Sequence, residues 1–587
     1  MDKIRVFLFA GLCLLLAACS GRDGGVAVFL PLEYEGIPDA RAEAGQYRNP
    51  ILPGFYPDPS ICRVGDDFWM VNSSFGYFPG LPVWHSTDLV HWEQCGSALE
   101  NNEEFWLGNQ NIIIGTFAPT IRYNPGNGLY YIVCTFMGGY GNFFVTTDDP
   151  LKGEWSSPTR LPEVKGIDPS ILFDDDGRAY ITSACGVDAI GEKKLYRSDN
   201  VILLWDFDWK NGRTEGPYRA LMRHGVHPEQ EPAALEGPHI YHVGDRYFLM
   251  CAEGGTEAGH SEVVFVSDSP YGPFEACPVN PILTQRDFHD GEAGWINCTG
   301  HADLVQSADG QWYAVFLGVQ PYEGDYCFFT GRQTVMLPAS WDNGQPIILP
   351  AGERVPQAVN LTDDLRRMAE ANTIAGFDPH NPGALWNGRD GLSPHAVFIR
   401  NPVSECTEDG ASVKEDFNLR DGSLEGPFWR IDRRGRLHLS PKAVGLGSLG
   451  NPSAICCRIT SRRFSAGTRM DFAPEDSASR AGIFCWYNEN GYMSLYKTLD
   501  SLGKTMMVAE AVKGGEVTER FELPLEGREA LVPLHLKVEA DAPGGFLFSI
   551  SADGRNWKPV GQPLDPHVLD NPDIWGFTGA VVGIYSF

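Results

Sequence analysis

The sequence predicts an all-β protein, a five-bladed β-propeller followed by a β-sandwich, and three observations carry that prediction. One unit recurs five times, as Asp58-Pro-Ser-Ile, Ala118-Pro-Thr-Ile, Asp168-Pro-Ser-Ile, Glu236-Gly-Pro-His-Ile and His301-Ala-Asp-Leu. Each unit is followed by a turn of Gly with Asp or Asn and then by a strand rich in aromatic and β-branched residues. The units lie 50 to 68 residues apart, room for a small sheet each, which is how propeller blades read in sequence. From about residue 413, apolar and polar residues alternate in strand-length runs, the pattern of a sheet with one buried face. Helical periodicity is scarce, and 361–371 is its best stretch.

Taken in order, residues 1–19 place Lys3 and Arg5 before an apolar run too short to span a bilayer, the form of an export signal. Leu16-Ala17-Ala18-Cys19 resembles a bacterial lipobox, which makes Cys19 the expected lipidation site and the first residue of the mature chain. The expected location is a bacterial membrane-anchored lipoprotein, periplasmic or at the cell surface. Residues 20–45, opening with Gly21-Arg22-Asp23-Gly24-Gly25, read as a tether. The propeller is expected over 46–355, a connecting segment rich in Pro, Gly, Asn and Asp over 356–412, and the sandwich over 413–587.

The chain has 587 residues and a formal charge of −30, from 76 acidic and 46 basic side chains. That balance argues against nucleic acid, whose phosphates need clustered Lys and Arg, and favours a neutral substrate. Aromatic residues make up 12% of the chain; most are core, but flat rings also stack sugars. Cys13 and Cys19 belong to the leader, and the other 12 of the 14 cysteines contain no C-x-x-C pair, which argues against a zinc finger or ribbon. Cys134, Cys251 and Cys485 lie inside apolar strands and read as small core residues.

In a propeller the innermost strands surround one axis, so the five leading residues converge on a central cavity. Three of them, Asp58, Asp168 and Glu236, are acids. Burying three carboxylates together costs several kcal/mol, about 1–3 each even in lenient scales, which function can retain. Glycosidic bond hydrolysis needs two acids flanking the bond, one to protonate the leaving oxygen and one to activate water. A third can raise the donor's pKa by like-charge repulsion. The longer Glu side chain suits the exocyclic oxygen.

The segments NPILPGFYPDPS, SSFGYFPGLPVWHSTDLVHW, FAPTIRY, IDPSILFDDDG, EGPHIY, AEGGT, GHADLV and GRQTVMLPASW resemble the glycoside hydrolases of family 43, from Asn49 through the propeller and more weakly into the sandwich. The resemblance implies a concanavalin-like sandwich and an inverting enzyme that releases sugars from plant-wall oligosaccharides or polysaccharides. By motif, Asp58 would be the general base, Asp168 the acid that tunes and orients, and Glu236 the general acid. Arg332 would lie near the base and the substrate hydroxyls. Phe75 and Phe117 would wall the terminal sugar site, with Phe117 where some relatives carry Trp and Ile167 where some carry an aromatic residue. Phe577, in GFTGA, would reach over the pocket from the sandwich. His301 would stand at the axis and hold water or a structural calcium ion; no organic cofactor is implied. The leading expectation is an exo-acting α-L-arabinofuranosidase or β-xylosidase. An endo-arabinanase, or a surface glycan-binding lipoprotein without catalysis, are the other readings. Oligomeric state and the membrane face that displays the protein stay open.

Overall fold

The computed structural model describes residues 25–100, 105, 110–228, 231–289, 295–342, 344–372, 374, 378–388, 390–402, 405–406, 412–413, 425–570 and 576–587. The leader and Cys19 lie outside them. Five antiparallel sheets follow one another, opening on Ser60–Val64, Thr116–Asn124, Ile167–Phe173, Glu236–Val243 and Asn297–Gln306. Each draws its strands from one stretch of chain, so no blade borrows a strand from another; in the first, Tyr77–Phe78 leaves the sheet to pair elsewhere. The fourth gains an extra strand, Leu283–Thr284, against Ser261–Ser267.

The repeated motif has a common backbone form. Asp58, Ala118, Asp168 and His301 have φ of 51°, 37°, 54° and 56°, a left-handed conformation that costs a non-glycine residue about 1–3 kcal/mol. The ladders of the second to fifth blades slip register beside this position, between Phe117 and Thr120, Ile167 and Ser170, Glu236 and His239, and Gly300 and Asp303. Such a bulge re-aims a side chain out of the pleat. In the fourth blade the left-handed residue is Gly237 (φ 57°), not Glu236, so the glutamate precedes the kink that the aspartates occupy. A Cβ on Gly237 would lie 2.9 Å from the His301 ring, so glycine serves both the φ and the close approach.

Asp303, two residues beyond His301, ties the ring together. Its Oδ2 accepts from Ser60 Oγ (2.6 Å) and the Ile61 amide (2.9 Å) of the first blade and from Arg122 Nη1 (2.8 Å) of the second. Its Oδ1 accepts from Arg122 Nη2 (2.7 Å) and the Tyr241 hydroxyl (2.6 Å). Arg122 and the other donors outweigh burial and hold the Asp303 carboxyl well below the usual range. The helix Asp363–Ala371, capped by the Thr362 hydroxyl, buries Leu365 in the core shared by the first, fourth and fifth blades.

The C-terminal region is a sandwich of two antiparallel sheets. One orders Ser453–Arg458, Val581–Ser586, Ala481–Asn488, Gly491–Leu499, Thr505–Lys513 and Glu516–Pro524. The other is built on Arg463–Asp471 and Leu534–Asp541. Two expectations change here. The stretch read as a tether over 20–45 enters this second sheet: Ala27–Phe29 pairs with Leu437–Leu439 and Arg463–Asp471, and Glu33–Gly36 pairs with Arg463–Asp471. The cause is apolar: Ala27, Phe29, Leu32 and Tyr34 sink into the sandwich core. The connecting segment over 356–412 is likewise more than a linker. Ala358–Asn360 pairs with Gln46–Arg48, Phe398–Ile399 pairs with Tyr77–Phe78, and Trp386 is fully buried.

A continuous apolar seam joins the two domains. Phe55, Phe75 and Tyr77 of the propeller pack with Val397, Ile399, Cys456, Phe484, Trp486 and Val581. Cys134, Cys251 and Cys485 are fully buried core residues, as their strands implied.

Candidate active site

A single cavity of about 80 Å³ is lined by Asp58, Phe75, Phe117, Ala118, Ile167, Asp168, Glu236, Thr256, Arg332 and Phe577. Every acid and every aromatic residue singled out in the sequence therefore meets in one place, with Arg332. The cavity is far smaller than the roughly 300–1,000 Å³ of an ordinary ligand cleft, so it is an end pocket rather than a groove.

Asp58 is held from three sides. Arg332 donates from Nη1 to Oδ1 at 2.9 Å and from Nη2 to Oδ2 at 3.4 Å, and the Ser73 hydroxyl donates to Oδ2 at 2.6 Å. Ser73 in turn accepts from the Ala118 amide at 2.7 Å, which fixes the hydroxyl's direction. Burial opposes ionisation of Asp58, but the charges of Arg332 and His301 and the Ser73 bond outweigh it, and its pKa falls below the ordinary value. Asp58 is thus a fixed, ionised carboxylate.

Glu236 has the opposite environment. Burial and the negative charge of Asp168, with a smaller contribution from Asp58, push its pKa up to about 8 against the pull of His301. One face of its side chain stays open to the cavity. Asp168 accepts the Gly237 amide at 3.2 Å on Oδ2 and lies 3.6 Å from His301 Nε2. At neutral pH the pocket therefore offers one ionised acid and one protonated acid, the pair that acid–base cleavage requires.

The aromatic walls come from both domains. Phe75 meets Phe117 edge-on at 4.8 Å between centroids and stacks with Phe577 at 6.1 Å. The Arg332 guanidinium lies 5.6 Å from the Phe75 ring and 5.5 Å from the Phe577 ring, and its Nε donates to the Phe577 carbonyl at 3.3 Å. Phe75 itself is left-handed (φ 49°) and locked by reciprocal bonds with Thr116. Gly115 permits this, since a Cβ there would sit 2.0 Å from the Phe75 carbonyl oxygen.

His301 lies behind the acids. Burial alone would lower its pKa, but the Asp168 bond and the charges of Asp58, Asp168 and Glu236 raise it to about 10, an imidazolium. Ca²⁺ takes six to eight oxygen atoms. Among the described residues the axis brings together no three side chains able to hold an ion. His301 Nδ1, His260 Nε2 and Glu262 Oε1 are buried without protein partners, a polar arrangement that fits ordered water better than a calcium cage.

Ser73 and Thr256 carry roles that the sequence did not announce. Both lie inside recognisable segments, SSFGYF and AEGGT, but a hydroxyl in a strand or loop has no spacing signature. Thr256 Oγ1 accepts from Arg332 Nη1 at 3.2 Å, so it helps aim the arginine at Asp58.

A small pocket at the axis of a five-bladed propeller, with a protonated and an ionised carboxyl facing one space, defines a glycoside hydrolase. The sequence profile of the glycosyl hydrolases family 43 matches residues 47–346, and that of the beta xylosidase C-terminal concanavalin A-like domain matches 410–587. The chain belongs to glycosyl hydrolase family 43. It is 33% identical over 549 residues to a non-reducing end alpha-L-arabinofuranosidase of Bacteroides ovatus, covering 92% of this chain and 91% of the other. It is 31% identical over 548 residues to a xylosidase/arabinosidase of Butyrivibrio fibrisolvens, covering 92% and 95%. A solved GH43_12 structure retrieved from capybara gut metagenome superposes with a TM-score of 0.82 at 31% identity, over 96% of this chain and 99% of that one.

Proposed function

We propose that the protein is an inverting, exo-acting glycosidase that removes terminal α-L-arabinofuranose or β-D-xylose from hemicellulose-derived glycans. The observation that carries this reading is the end pocket with two acids in opposite protonation states. Asp58 is the general base: ionised and oriented by Arg332 and Ser73, it deprotonates the attacking water. Glu236 is the general acid, protonated at neutral pH and open to the cavity, and it protonates the departing glycosidic oxygen. Asp168 maintains that proton by its negative charge and anchors the Gly237 kink beside the acid. Phe75, Phe117 and Phe577 enclose the terminal sugar, and Arg332 faces its hydroxyls. Inversion requires space for one water between base and anomeric carbon, with carboxyls about 6.5–9.5 Å apart. No cofactor is required for these steps, and water rather than calcium serves His301 at the axis.

Support for exo action is the cavity's small volume and the presence of Phe577, from the second domain, on its wall. Names of the relatives support the pentose assignment. The sequence further supports export and a lipid anchor at Cys19, which mass spectrometry of the mature N-terminus checks. The activity is tested by hydrolysis of aryl α-L-arabinofuranoside beside aryl β-D-xylopyranoside. Turnover of either, abolished in Asp58→Asn with sugar binding retained, is the expected result. Binding without turnover in the wild type points instead to a glycan-binding lipoprotein.

A further inference from the structure

A second cluster of reactive side chains sits away from the acids, where the propeller meets the sandwich. Cys327 lies in the fifth blade between Trp312–Val319 and Gln333–Asp342. His567 lies on the 3-10 turn Pro566–Val568 of the sandwich, and Asp570 follows it. One donor atom from each lies within 4.8 Å of the other two, the one such group of His, Cys, Asp or Glu side chains among the described residues.

The surroundings supply the supporting contacts a metal centre uses. The Tyr322 hydroxyl donates to Asp570 Oδ2 at 2.7 Å and lies 3.2 Å from His567 Nδ1. The imidazole of His567 is hydrogen-bonded to Asp570 Oδ2. On the solvent side, Glu323 Oε2 lies 3.7 Å from His567 Nε2. Backbone bonds in both directions between Tyr322 or Glu323 and Cys327 fix the blade loop that presents the thiol and the carboxylate together.

We propose that Cys327, His567 and Asp570 bind one divalent transition-metal ion of the zinc type, with Glu323 or water in the fourth position. Thiolate, imidazole and carboxylate together match Zn²⁺ and not Ca²⁺ or Mg²⁺. Zinc bonds of about 2.0–2.3 Å put tetrahedral donors about 3.4–3.8 Å apart, so on binding the hydrogen-bonded His567 and Asp570 separate by small side-chain rotations to admit the ion. Binding replaces the Cys327 S–H by an S–Zn bond and releases that proton to solvent. Because the ligands come from both domains, the ion clamps the fifth blade to the segment of sandwich that carries Phe577 seven residues after Asp570.

The test uses the full chain stripped with a chelator, desalted, and loaded with Zn²⁺ or Co²⁺. About one equivalent of zinc is expected by equilibrium dialysis, with a rise in the unfolding midpoint that follows free zinc. The Co²⁺ form should show a thiolate-to-metal charge-transfer band. Cys327→Ser should abolish the band and weaken zinc binding at least about tenfold. Cys95→Ser should change neither, Cys95 being the other cysteine that is only partly buried among those described. Absence of the band in the wild type, less than about a tenth of an equivalent of zinc at micromolar free metal, or a band that survives Cys327→Ser overturns the proposal. These readouts do not depend on glycosidase activity, so they stand or fall separately from the assignment of the acids.

Discussion

Asp58 and Glu236 line the same cavity, yet their environments drive their pKa values in opposite directions. The pair predicts the pH profile. Turnover needs Glu236 protonated, so it falls as pH rises through about 8; it needs Asp58 ionised, so it falls only as pH drops through that group's depressed value. Asp168→Asn removes the charge that holds the Glu236 proton, and the alkaline limb of kcat/KM should move to lower pH. An unmoved limb would show that Asp168 does not tune the acid. Glu236→Gln should lower turnover by about 10²–10⁴ while leaving thermal unfolding intact. Arg332→Ala removes the largest charge stabilising the Asp58 carboxylate, so the acidic limb should move to higher pH.

The repeated motif explains how such residues come to share a space. In four blades the leading residue is left-handed, in the fourth blade the glycine after it, and from the second blade onward the strand slips register beside this position. The five leading residues were legible in sequence because their spacing repeats. Their φ values were not, since Asp-Pro opens ordinary turns as well, and the shift of the kink from Glu236 to Gly237 follows from a Gly-Pro that one sequence cannot align. Phe577 was legible only through resemblance, because its place in the pocket depends on how two domains dock. The strands Ala27–Phe29 and Glu33–Gly36 went unread because two short runs, three and four residues long, give too little alternation to stand out. Ring closure depends on the buried Asp303, with Arg122 as its counter-ion. Asp303→Asn should cost about 3–5 kcal/mol in denaturant unfolding, because Arg122 then loses its partner inside the protein. A loss within experimental error would mean that the blades close by apolar packing alone.

At the scale of the whole molecule, the sandwich both closes the catalytic pocket and captures the start of the described chain. The first described strand opens at Ala27, eight residues after Cys19. Among the described residues no helix is long and apolar enough to cross a bilayer. Deleting residues 25–36 should destabilise the sandwich, lowering the unfolding midpoint and raising KM as Phe577 loses its support. Asp58 and Glu236 together cleave by direct attack of water across the sugar. The most direct measurement is ¹H NMR of the first sugar released from an aryl glycoside that the enzyme accepts. The expected first product is the inverted anomer, α-D-xylose from a β-D-xyloside or β-L-arabinofuranose from an α-L-arabinofuranoside, before mutarotation. Initial appearance of the retained anomer would contradict it and make one of the carboxylates a nucleophile.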